Sequence, residues 1–145
     1  MRAVLQRVLR ASVRVHGATV GTIEAGCVAL IGIAKGDTEA DAEHIARKIC
    51  GLRLWNDAQG KMNLPLEARA VLAISQFTLL ADTRRGLRPS FDEAAPAAVA
   101  LPLFEAVVER LRQRGVRVAT GVFQADMQVE LVNDGPVTVV VDSQA

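Results

Sequence analysis

Two short segments gather the polar residues that local structure explains least. Ser75-Gln76-Phe77-Thr78-Leu79 places two hydroxyls and a carboxamide around one aromatic ring, where an apolar run ends. On the plain reading it is simply a strand end. Asn133-Asp134-Gly135-Pro136-Val137-Thr138 reads locally as a hairpin turn, with Gly135 for a positive φ and Pro136 for a fixed one. Arg84, Arg85 and Arg88, with Lys61 earlier in the chain, offer cations to phosphates or simply a solvated loop.

Other chemistries fit less well. Residues 32–38, Gly-Ile-Ala-Lys-Gly-Asp-Thr, lack the spacing and the Gly-Lys-Ser/Thr ending of a phosphate-wrapping loop. His16 and His44 are far apart and in no ligand motif, so no metal is expected. Ser75 follows a strand, yet Ala73-Ile74-Ser75-Gln76-Phe77 lacks the glycines that relieve a nucleophile elbow. A net charge of +1 argues against a general DNA coater and leaves room for a local basic patch. Aromatic residues are 3% of the chain: Trp55, Phe77, Phe91, Phe104 and Phe123 are too few and scattered for a base-stacking platform.

The elements that must position these groups follow from periodicity. Residues 2–8, 11–15 and 18–23 are short β-rich runs, and residues 27–34 are almost continuously apolar, as a strand buried on both faces would be. Thr38 with Asp41 can start a helix whose buried face is Ala42, Ile45, Ala46, Ile49 and Cys50, ending at Gly51. Residues 52–55 and 70–76 are extended, with a turn at 56–60 between them. Phe104, Val107, Val108 and Leu111 mark a second helix closing at Gly115, with Pro102 at its start or at a kink. Residues 127–131 and 137–141 return to strands. This order is α+β, a barrel-like β-sheet with two helices packed on it. At 145 residues and 15.5 kDa the chain is expected to be one domain, 1–145, burying roughly 70% of its unfolded surface. Cys27 and Cys50 lie singly in apolar runs and read as core residues of a reducing compartment. No run approaches the ~20 apolar residues of a membrane span, and a cytoplasmic location is expected.

Ser75-Gln76-Phe77-Thr78-Leu79 and Asn133-Asp134-Gly135-Pro136-Val137-Thr138 together resemble the two signature motifs of the D-aminoacyl-tRNA deacylase family. The resemblance extends over Met1-Arg2-Ala3-Val4-Leu5-Gln6-Arg7-Val8, Lys35-Gly36-Asp37-Thr38, Gly60-Lys61-Met62-Asn63-Leu64, Ala81-Asp82-Thr83-Arg84, Arg88-Pro89-Ser90-Phe91 and Ala125-Asp126-Met127-Gln128-Val129. Essentially the whole chain is matched. The departures are Pro102 and the alanine-rich stretch 94–100, neither in a motif.

That resemblance implies a D-aminoacyl-tRNA deacylase-type fold and a homodimer with active sites at the interface. The reaction would be hydrolysis of the ester joining a D-amino acid, or glycine mischarged on tRNA(Ala), to the terminal adenosine of tRNA, with no cofactor. By resemblance, the Phe77 and Thr78 amides form an oxyanion site, and Ser75 and Gln76 position the adenosine. Either the Thr78 hydroxyl or the vicinal 2′-hydroxyl of the tRNA assists; with no base near Thr78 in sequence, the 2′-hydroxyl is preferred. A cis Gly135-Pro136 peptide from one subunit would exclude L-amino acids from the partner's pocket, supported by Arg7, Asn133 and Thr138. Arg84, Arg85 and Arg88 are the tRNA-binding candidates, and neither DNA nor a membrane is an expected partner. The competing class is a non-enzymatic module that binds a nucleic-acid end or a metabolite in a dimer groove.

Overall fold

The computed structural model describes residues 1–145. Its elements are β1 (Arg2–Val15), β2 (Ala18–Ile23), β3 (Gly26–Gly32), α1 (Glu39–Gly51), β4 (Trp55–Asn56), β5 (Met62–Leu64) and β6 (Ala70–Ser75), then a 3₁₀ turn (Phe77–Leu80), α2 (Ala97–Gln113), β7 (Val118–Thr120) and β8 (Gln128–Asp142). No helix is long and apolar enough to cross a membrane.

β1 organises the main sheet. Its first half pairs antiparallel with β3 and its second half with β2, while β8 runs along both halves. Residues 2–8 and 11–15 are therefore one strand rather than two, and the break expected between them is where β1 changes partner. Beyond β3 the sheet continues through β6 and β7 in parallel pairings. Parallel neighbours need crossover connections, which α1 and α2 supply. β2 returns to β7, where a Cβ on Gly21 would fall 2.6 Å from the Thr120 carbonyl. The sheet thus curls into a nearly closed barrel.

Two apolar layers explain the continuous hydrophobicity of the central strands. Val8, Val13, Val28, Leu72 and Ile74 fill the barrel interior. Ala3, Leu5, Cys27, Ala29, Ile31 and Val71 point the other way, toward α1 and α2. Alternate residues of β3 are thus buried on opposite faces, each large side chain contributing about 1.5–3 kcal/mol. Burial pushes the Cys27 thiol up to about 12, as expected of an inert core residue.

Helix ends follow the sequence with two differences. The Asp41 carboxylate accepts from the Thr38 N–H (2.7 Å) and hydroxyl (3.1 Å), anchoring the start of α1. Gly51 is the last helical residue and its φ is not positive; the helix ends because Leu52 turns extended. Pro102 neither begins nor caps α2, which starts at Ala97 after the Pro96 N-cap. Pro102 lies on the solvent side, where the Ala98 carbonyl left without its helical donor can be hydrated. At the other end the Gly115 and Val116 amides donate back to Arg112 (2.9 Å) and Leu111 (3.1 Å).

The hairpin expected at residues 133–138 is absent. Both flanks of this segment belong to β8 and pair with β1 in one direction. Between Gln6↔Thr138 and Val8↔Asn133, β1 advances two residues while β8 advances five, so the extra residues leave the sheet as a bulge. Turn-forming residues signal a departure from regular pairing, not which strand the chain joins next.

Candidate active site

β6 delivers Ser75 at the open end of the barrel, and the chain then tightens into the 3₁₀ turn. Gln76 N–H donates to the Ile31 carbonyl at 2.8 Å, tying the segment to β3. Gly32 provides its seat. A Cβ there would lie 2.5 Å from Leu80 Cδ2 and 2.8 Å from the Gln76 carbonyl. Within the turn, Leu79 N–H donates to Gln76 (3.2 Å) and Ala81 N–H to Thr78 (3.1 Å). Phe77 and Thr78 are the first two residues of that turn, so their N–H groups have no acceptor within it, and neither donates to a loop carbonyl. Gln76 Nε2 donates to Thr78 Oγ1 at 2.5 Å, which fixes the hydroxyl beside the carboxamide.

A cleft of about 480 Å³ opens beside this segment. Ser75, Gln76 and Phe77 line it together with Phe123, Gln124 and Met127; the Thr78 side chain does not. The remaining wall is aliphatic, and no histidine, lysine, arginine or carboxylate lines the cleft. An apolar wall with a few polar groups suits a small organic substrate. With no titratable side chain at hand, charge that develops there falls to main-chain dipoles. Phe77 is exposed and packs edge-on against Phe91, with ring centroids 5.2 Å apart.

The residues 133–138 form a second constellation. Arg7 is buried; its Nη1 donates to the Leu54 carbonyl at 2.7 Å and its Nε to the Asp134 carbonyl at 3.0 Å. The Asp134 carboxylate lies 3.3 Å from the same Nε. The Asn133 amide is satisfied at both ends when its nitrogen faces the Arg7 and Val137 carbonyls (3.0 and 3.1 Å) and its oxygen accepts from the Thr138 hydroxyl (3.0 Å). The Gly135–Pro136 peptide is cis, and Gly135 has φ +122°. A side chain at 135 would also meet Arg7 Nη2 and Val137 Cγ2, each at 2.8 Å, so only glycine fits. Gly135 and Pro136 are exposed and do not line the cleft of their own chain.

The basic loop, residues 83–89, immediately precedes Ser90 and Phe91 in the chain. Its base is closed by paired hydrogen bonds between Asp82 and Ser90 (2.8 and 3.0 Å). Arg84 is engaged by Asp82, through Nε (2.9 Å), Nη2 (2.6 Å) and its own N–H (3.0 Å). Those bonds hold the Asp82 carboxyl well below the usual carboxylate range. Arg85 and Arg88 form no ion pair and line a polar depression of about 460 Å³. Lys61 sits on the turn between β4 and β5 and lines neither cavity.

The structure thus brings Ser75, Gln76, Phe77 and Thr78 together, joins Arg7, Asn133 and Thr138 to Gly135-Pro136, and keeps the two groups apart within one chain. Sequence reading missed Gly32, Gln124 and Arg2, whose Nη1 donates to the Leu79 carbonyl at 3.0 Å. Gly32 ends an apolar strand, and a glycine inside or at the end of a strand signals close backbone approach. Gln124, with φ +65°, gave no comparable signal.

Comparison with known proteins identifies the family. The sequence model described as D-Tyr-tRNA(Tyr) deacylase matches residues 4–142. A D-aminoacyl-tRNA deacylase of Anaeromyxobacter dehalogenans is 56% identical over 99% of this chain and 98% of that protein. One from Sorangium cellulosum is 55% identical with the same coverage. Among solved structures, one titled "c-Myc DNA Unwinding Element Binding Protein" superposes with a TM-score of 0.92 at 39% identity, covering all of both chains. Another, titled "Structural Analysis of a probable eukaryotic D-amino acid tRNA deacylase", has a TM-score of 0.83 at 16% identity over 97% of each chain and shares the fold. On the family match and on relatives above half identical along nearly its whole length, this chain belongs to the D-Tyr-tRNA(Tyr) deacylase family.

Proposed function

We propose that residues 1–145 form a single catalytic domain that hydrolyses the ester of D-aminoacyl-tRNA, releasing the D-amino acid and free tRNA. The observation that carries this reading is the pair of unpaired amides, Phe77 and Thr78, beside a cleft with no titratable wall. Water adds to the ester carbonyl, and the resulting oxyanion accepts from these two N–H groups. A fixed donor of this kind contributes about 10²–10³ in rate. The bond to the ribose oxygen then breaks, and that oxygen leaves with a proton. The vicinal 2′-hydroxyl of the substrate, adjacent to that oxygen, relays the proton, since no titratable side chain lines the cleft. Ser75 and Gln76 hold the terminal adenosine, and the aliphatic wall excludes bulk water.

Chirality is read by exclusion. In a homodimer, the exposed Gly135-Pro136 bulge enters the partner's cleft, with Arg7, Asn133 and Thr138 fixing its direction. Its carbonyl oxygens face the α-carbon of the substrate and leave room for hydrogen but not for an L side chain. Glycine, with hydrogen on both sides, is therefore accepted, including glycine mischarged on tRNA(Ala). Arg85 and Arg88 meet phosphates of the acceptor end, while Arg84 braces the loop through Asp82.

The test is incubation with D-Tyr-tRNA in the presence of a chelator. Release of free D-tyrosine with turnover is expected. Binding without turnover would instead favour a module that only holds a nucleic-acid end.

A further inference from the structure

The 3₁₀ turn Phe77–Leu80 has no fully buried residue; Leu80 packs over Gly32, and hydrogen bonds tie the two ends. The entrance is tied by Gln76 N–H to the Ile31 carbonyl. The exit is tied by Arg2, whose Nη1 donates to the Leu79 carbonyl at 3.0 Å. Arg2 is itself oriented: Nε and Nη2 donate to Asp142 Oδ2 at 3.1 and 3.0 Å. The two residues are cross-strand partners in the β1–β8 register, and Asp142 Oδ1 accepts from the Gln144 N–H at 3.0 Å. One planar guanidinium thus spans the sheet and the turn, with a different edge on each.

We infer that Arg2 is a positioning residue for the hydrolysis, holding the Phe77 and Thr78 amides in register with the cleft through the Leu79 carbonyl. The inference rests on the reading of those amides as the oxyanion site. Misplacing a fixed donor by about 1 Å can cost as much as 10²-fold in rate. The Arg2–Asp142 pair is 41% and 25% exposed at its side chains, so its loss affects stability little. Catalysis and stability should therefore separate. Lysine carries one compact ammonium in place of a planar fork, so it can reach the carbonyl or the carboxylate but cannot hold both in a fixed geometry.

Steady-state deacylation of D-Tyr-tRNA by Arg2→Ala, Arg2→Lys and Asp142→Asn tests this. Arg2→Ala should lower kcat by about tenfold or more with KM within about twofold, Asp142→Asn should lower it about threefold, and Arg2→Lys should recover only part of the loss. Arg14→Ala is the structural control: it removes an ion pair on the same strand, to Glu130 at 3.4 Å, with a guanidinium also 41% exposed. It should match Arg2→Ala in melting temperature and keep the wild-type kcat. An Arg2→Ala enzyme with unchanged kcat, or an equal loss in Arg14→Ala, overturns the inference. Should Arg2→Ala fail to fold, the kcat of Asp142→Asn decides in the same way. A wild-type protein that releases no D-tyrosine overturns the deacylase reading and this inference with it, whereas an active wild type beside an unaffected Arg2→Ala overturns the inference alone.

Discussion

On the proposed reading Thr78 offers two groups, a hydroxyl and a main-chain amide, with different roles. The hydroxyl accepts from the Gln76 carboxamide, which is not a base, and no titratable side chain lines the adjoining cleft. A hydroxyl without a base is a weak nucleophile. Thr78→Ala keeps the amide, and single-turnover assays should find its rate within about tenfold of wild type; complete loss with intact fold and tRNA binding would make the hydroxyl the nucleophile. Arg7 presents the opposite case, a buried cation whose donors satisfy two main-chain carbonyls. Arg7→Ala should destabilise the fold by about 1–3 kcal/mol in denaturant melts, because the Leu54 carbonyl is left buried without a donor. The same variant should raise the rate on L-Tyr-tRNA relative to D-Tyr-tRNA, since the Gly135-Pro136 bulge loses its brace. Unchanged discrimination at reduced stability would confine Arg7 to a structural role.

At the scale of elements, the site depends on how closely the chain after β6 settles on β3. Gly32→Ala places a methyl against Leu80 and the Gln76 carbonyl, both within 2.8 Å. Overpacking of this kind costs about 1–3 kcal/mol. The displaced turn should lower kcat on D-Tyr-tRNA by about tenfold or more; a variant with normal kcat would show that the seat tolerates a side chain. Much of this arrangement was legible in the chain. The α1 face, the doubly buried β3 and the end of α2 at Gly115 follow from local periodicity and capping, which act within a few residues. Strand pairing is different, because it is decided by partners far away in sequence. Residues 133–138 look like a hairpin by composition, and only pairing with β1 shows that β8 continues through them as a bulge. Arg2 escaped notice for the same reason: its partners, Leu79 and Asp142, are remote in sequence. The two motif segments stood out by residue type, but their roles came only from the resemblance, since unpaired amides leave no mark on residue type.

At the scale of the molecule, acid should loosen the ends of the chain. Burial raises the Asp41 carboxyl, but hydrogen bonds from Ser143 and Thr38 outweigh it and leave the group below its ordinary value. Asp142 is also held low, by the Gln144 N–H first and Arg2 after it. A carboxyl with a depressed folded pKa stabilises the fold above its unfolded value of about 3.9, and that stability is lost as pH falls through the folded value. The melting temperature should therefore be flat from about pH 7 to 5 and drop below about pH 4, with a shallower drop in Asp41→Asn. An equally steep acid limb in that variant would remove Asp41 from the account. With a net charge of +1, the proposed tRNA recognition rests on a local basic loop rather than on a general field. The central claim is that main-chain groups both catalyse hydrolysis and reject one hand of the substrate. Single-turnover rates on D-Tyr-tRNA, Gly-tRNA and L-Tyr-tRNA test it most directly: the first two should be cleaved and the third spared. Comparable cleavage of L-Tyr-tRNA, or resistance of Gly-tRNA while D-Tyr-tRNA is hydrolysed, would contradict it.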